Sequence, residues 1–132
     1  MIPLETLQRI ADSGARLRAA VAHDYKGDPR FTSYVSLEFE SSRLILSTAE
    51  EDDSIALSTD LPAMIDCVAR DEKAWIPALG RALLWGWTLT NHQGCVDGVR
   101  FDFRNTVSDS PVIIEVLVAA SRLHTIVVPG AV

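Results

Sequence analysis

The densest gathering of reactive side chains falls between residues 91 and 102. Asn91, His92, Gln93, Asp97, Arg100 and Asp102 lie there in one short segment, just after Trp85 and Trp87. An imidazole can take a proton in a reaction and a carboxylate can orient it. Amide and guanidinium groups donate hydrogen bonds to a ligand or partner, and indole rings supply a broad apolar surface. Cys95 stands three positions after His92, which invites a nucleophile–base pair. The segment offers no third orienting group and no recognisable oxyanion donors, so no catalytic residue is assigned. A plainer role competes at the same positions. Short amide side chains cap their own backbone in turns, and a glycine such as Gly94 supplies positive φ. Two readings therefore stand: a binding site built from Asn91, His92, Asp97, Arg100 and Trp85, or a turn stabilised by Asn91, Gln93 and Gly94. In a regular strand Asp97 and Arg100 point to opposite faces, so a shared site demands a bulge.

Elsewhere the reactive types are scattered. His23, His92 and His124 stand far apart, and Cys67 and Cys95 have no ligand spacing around them, so no metal is expected. The run Glu50-Glu51-Asp52-Asp53 lacks the alternating acids and glycine of a calcium loop and reads as a solvated turn. No glycine-rich phosphate loop or paired carboxylates occur, so no cofactor is expected. Cys67 is expected in the core on an apolar helix face. Trp75, Trp85 and Trp87 are expected in the core as well, although Trp85 and Trp87 point the same way and one of them can line a groove.

The bulk properties narrow the classes. The chain has 132 residues, 48% of them hydrophobic and 23% charged, with a formal charge of −6. That suits one domain over residues 1–132, folding without metal or disulfide. No basic patch is visible, which argues against nucleic acid and against anionic membranes. No apolar run reaches spanning length and no leader pattern is present. Two cysteines without framework spacing fit a reducing compartment, so a cytoplasmic location is expected.

The elements that must carry these residues follow from periodicity. Leu7, Ile10, Gly14, Leu17 and Val21 recur at helical spacing, predicting a helix over 4–22. Gly27 and Pro29 make 24–29 a loop. Phe31, Val35, Leu37 and Phe39 alternate with Tyr34, Glu38 and Glu40, predicting a strand with its first set inward and its second toward solvent or a subunit partner. Strands around Leu44 and Leu46, then Ile55 and Leu57, complete a meander. Asp60, Pro62, Met64, Ile65 and Val68 predict a helical insert, ended near Pro77 and Gly80. Leu83 to Leu89 and Val99 to Phe103 form a hairpin, followed by strands at 112–118 and 123–128. The result is an α+β fold: an antiparallel sheet of about seven strands in two meanders, with an N-terminal helix and a short helical insert on one face.

The stretch Trp85-Gly86-Trp87-Thr88-Leu89-Thr90-Asn91-His92-Gln93-Gly94-Cys95-Val96-Asp97-Gly98-Val99-Arg100-Phe101-Asp102-Phe103 resembles the hairpin of a family of small bacterial proteins, the DUF6334-type domain. Leu37-Glu38-Phe39, Leu44-Ile45-Leu46 and Asp53-Ser54-Ile55 are similar to its early strands, and the likeness covers residues 30–128. Cys95 departs from the aromatic expected after the glycine. The resemblance implies the same fold class and a bacterial origin, and it brings no activity with it. Proteins of this build often stand beside toxin genes, which implies an immunity-like role by analogy. The function expected is therefore a non-enzymatic binding module for a protein partner or a second copy. The alternative is a small enzyme with His92 as general base, oriented by Asp97.

Overall fold

The computed structural model describes residues 3–49, 54–60, 67–120 and 122–129. The chain opens with helix α1, Pro3–Ser13, which buries Leu7 and Ile10. Gly14 stops it, with φ at +66° and its N–H donated to the Ala11 carbonyl at 3.2 Å. The helix expected to reach residue 22 therefore ends after 13, and strand β1 follows at Leu17–Tyr25. The misleading signal is an overlap of periods. Leu17 is buried in either geometry, but Ala20 and Ala22 complete a period-two face that only a strand uses.

Strand β2, Asp28–Phe39, follows at once, so the loop expected at 24–29 is a tight hairpin around Lys26 and Gly27. Strands β3, Arg43–Thr48, and β4, Ile55–Ser58, continue the meander. The fifth strand corrects the expected helical insert. Cys67–Asp71 form β5, paired antiparallel with β1, and Cys67 is half-buried on this edge rather than in a helix-packed core. Pro62, Met64, Ile65 and the acidic run 50–53 lie outside the described residues. The first sheet has the order β4-β3-β2-β1-β5. A 3-10 turn, Lys73–Ala78, then leads into β6, Leu83–Thr90, β7, Val96–Phe103, β8, Val112–Ala119, and β9, Arg122–Val128. These pair in that order as a second antiparallel sheet. The described residues thus hold nine strands in two sheets. The expected count was lower because two segments taken as helical are strands.

The apolar faces of the two sheets meet in one core. Val35, Leu37, Phe39, Leu44 and Leu46 face Val99, Phe101, Phe103, Ile114 and Val116, and Trp75 is wholly buried among them. The helical pieces do not cover one sheet face as expected. Helix α1 crosses β6 where Gly86 has no side chain: a Cβ there would stand 3.2 Å from Leu7. The 3-10 turn touches β1, β8 and β9.

The alternation along β2 holds for Val35, Leu37 and Phe39, and Glu40 is exposed. Phe31 is only half-buried, its ring edge-on to Tyr25 with the Arg122 guanidinium 5.0 Å from the ring centre. Tyr34 corrects the expectation of a solvent-facing residue. It is buried, stacked on His23 with ring centres 4.1 Å apart. Ser36 and Ile45 are buried beside it. The middle of β2 and β3 is therefore buried on both faces, which period-two patterning alone does not reveal.

Replacing Gly14 with alanine forces an L-residue into the left-handed region. No atom lies within 4 Å of the added Cβ, so the cost is conformational. Urea unfolding of Gly14→Ala is expected to show a loss of about 1–2 kcal/mol.

Candidate functional site

The hairpin between β6 and β7 forms the predicted turn. Asn91 organises it: its Oδ1 accepts from the Gln93 N–H at 2.9 Å and the Cys95 N–H at 3.2 Å. Its backbone N–H donates to the Cys95 carbonyl, and Gly94, at φ +85°, donates back to the Asn91 carbonyl. The remaining amide group of Asn91, Nδ2, donates to Asp97 Oδ2 at 3.3 Å. The pairing jumps from Leu89 opposite Gly98 to Thr90 opposite Val96, leaving Asp97 as the extra residue of a bulge. A bulge is present, but it turns Asp97 toward Asn91 and does not bring it together with Arg100. His92 sits exposed at the tip. Among the described residues no hydrogen bond joins its ring to Asp97 or Cys95.

Trp85 and Arg100 belong to a different surface. In the second sheet, one face packs on the core and the other looks outward. Pairing places Trp87 beside Arg100, Arg100 beside Glu115 and Glu115 beside Ile126, one row across all four strands. The next row is Trp85, Asp102, Ile113 and Val128, and on the other side stand Leu89, Gly98, Leu117 and His124. Trp85 is 53% exposed, Trp87 42% and Ile126 43%. Of the three tryptophans expected in the core, only Trp75 is there. Both Arg100 Nε, at 2.7 Å, and Nη2 donate to the same oxygen of Glu115. Asp102 is buried on this face and receives two hydrogen bonds from the Arg104 guanidinium, at 2.7 and 2.9 Å. The five expected residues thus divide: Asn91 and Asp97 build the turn, Trp85 and Arg100 lie on the outer face, and His92 stands apart from both.

A further cluster is not legible in the sequence. Asp24, on β1, is buried at 4% exposure. Its carboxylate accepts from Thr32 Oγ1 at 2.8 Å and from Arg70 Nε at 2.8 Å and Nη2 at 3.3 Å. Burial pushes its pKa up, but the hydrogen bonds from Arg70 and Thr32 outweigh that and hold the carboxyl below its ordinary value. Arg70 and Thr32 also line a cleft of 570 Å³ with Glu72, Leu123, His124 and Thr125. Arg70 is 46 residues from Asp24, a separation at which no local pattern signals contact. Neighbouring His23 has its pKa lowered by burial, against the opposing charges of Asp24 and Glu38. Among the described residues no group of three His, Cys, Asp or Glu side chains could hold a metal ion.

Comparison with known proteins gives one result. A family model described as "Family of unknown function (DUF6334)" matches residues 5–129. No curated protein and no solved structure matches the chain.

Two outcomes follow from this geometry. Asn91→Ala removes the acceptor that closes the turn, and thermal or urea unfolding should show a loss of about 1 kcal/mol, as for other lost side-chain caps. Asp24 has a folded-state pKa below its unfolded one. Its stabilisation is therefore complete above the unfolded value and is lost as pH falls through the folded one. Urea midpoints measured downward from about pH 5 should drop less steeply in Asp24→Asn than in the parent chain, although the variant is weaker at neutral pH.

Proposed function

The chain belongs to the DUF6334 family of unknown function, and we propose that it is a non-enzymatic binding module that holds a protein partner on the outer face of β6, β7, β8 and β9. The observation that carries this reading is the exposure of Trp85, Trp87 and Ile126 on one sheet face. Burying an indole removes a large apolar area from water, and tryptophan and arginine are the side chains most enriched where binding energy concentrates. Single exposed apolar residues are ordinary, but two exposed indoles side by side on β6, with Ile126 on the far strand of the same face, are a feature of interaction surfaces. Arg100 and Glu115 add a polar pair within the patch that can orient a partner. The enzymatic alternative has less support. It needs Asp97 to orient His92, whereas Asp97 is engaged by Asn91.

The test is recovery of partners from the source cells with a tagged chain and with its Trp85→Ser, Trp87→Ser double variant. Both side chains are exposed, so the variant should melt within a few degrees of the parent. A protein bound by the parent and lost from the variant is the expected result. Equal recovery by both chains would sink the reading.

A further inference from the structure

The outer face of the second sheet has an internal symmetry that names one partner. Its central row reads Trp87, Arg100, Glu115, Ile126 from edge to edge. A two-fold axis parallel to the strands, lying between β7 and β8 in the plane of contact, reverses that row onto itself. Trp87 then lies over Ile126 of a second copy, and Arg100 lies over its Glu115. The flanking rows obey the same operation. Trp85 meets Val128, Asp102 meets Ile113 and Leu89 meets His124, while Gly98 is covered by Leu117 and Leu89 of its own copy. Trp87 and Trp85 fall opposite the smaller Ile126 and Val128, and at the centre Arg100 falls opposite Glu115.

The local charge supports this operation. The chain carries −6 overall, which opposes approach of two copies through most of their surface. Here Arg100 balances Glu115, and Arg104 balances Asp102, so two copies meet where neither presents excess carboxylate. The Arg100–Glu115 pair also keeps unused capacity. Both guanidinium hydrogen bonds end on Oε1, so Glu115 Oε2 and Arg100 Nη1 can serve a partner. The Arg100 side chain is 42% exposed and that of Glu115 14%, so the arginine is the half of the pair that reaches outward.

We infer that the chain forms an isologous dimer through this face, with Arg100 of each copy paired to Glu115 of the other at its centre. The inference rests on the outer face being a binding surface and commits its occupant to a second copy. Sheet-on-sheet packing at about 10 Å with strands nearly aligned is an established arrangement for two such faces.

Sedimentation equilibrium of the purified chain from about 5 µM to about 500 µM tests it by mass action. The parent should pass from monomer to dimer across that range. Arg100→Glu and Glu115→Arg should each weaken association at least about tenfold, because like charges then face one another. An equimolar mixture of these two variants should recover the dimer, since the Arg100→Glu copy presents two acids to the two bases of the other. Should a charge variant fold poorly by circular dichroism, Trp87→Thr serves instead and should abolish the dimer. A parent that stays monomeric throughout overturns the inference, and so does a mixture that stays monomeric while the parent dimerises. Neither result touches partner recovery by the Trp85 and Trp87 surface, so failure of the dimer and failure of the binding reading remain distinct.

Discussion

Burial of Trp75 between the two sheets is the constraint on which the remaining structure depends. Its ring is inaccessible to solvent and meets Phe101 and Phe103 edge-on, at 5.6 and 6.1 Å between centres. Edge-to-face aromatic pairs contribute about 0.5–1.5 kcal/mol beyond area burial. The indole cannot be buried without a partner for its N–H, and Glu72 accepts it at 3.3 Å. That bond is local to the turn, and the turn itself is seated by packing against β1, β8 and β9. Once the turn is placed, Gly80 donates to the Leu17 carbonyl and Leu17 to the Arg81 carbonyl, so the start of β6 is tied to the start of β1.

The same packing explains why the second sheet looks outward with apolar side chains. Phe101, Phe103, Val99 and Gly86 use the inner positions of β6 and β7 for the core and for α1. Strict alternation then sends Trp85, Trp87 and Arg100 to the other side. The two bulges, at Leu84 on β6 and at Asp97 on β7, sit at either end of this run and do not disturb its middle. Gly98 has a particular part here. An added Cβ would stand 2.4 Å from Leu117 and 3.1 Å from Leu89, so those two side chains close over it and make the outer face continuous.

What the residue pattern showed and what it hid have separate physical causes. The hairpin from Leu83 to Phe103 was legible because its alternation, its Asn-x-x-Gly turn and its strand lengths all agree. A bulge at Asp97 was expected only if Asp97 and Arg100 shared a site; the bulge is there, but it serves the Asn91 turn and the two residues stay apart. The segment 15–22 was not legible, because Leu17 and Val21 satisfy helical spacing, while the positive φ of Gly14 and the buried face of Ala20 and Ala22 make it a strand. Tyr34 was misplaced since alternation assumes one wet face, while the centre of this sheet is dry on both. Trp85 and Trp87 were assigned to the core on residue type, which is a weaker guide than register.

The sequence by itself determined the class of fold, the hairpin and its turn, and the gathering of polar groups around residues 91–102. These are local properties, set by side-chain period and by the conformations that asparagine and glycine permit. Tertiary structure alone decided that the strands divide into two sheets, that Asp24 meets Arg70, and that Trp85 and Arg100 share a surface from which His92 stands apart. Each of these depends on which strand lies beside which. That choice is made by burial of the whole apolar set at once, and no short stretch of sequence contains it.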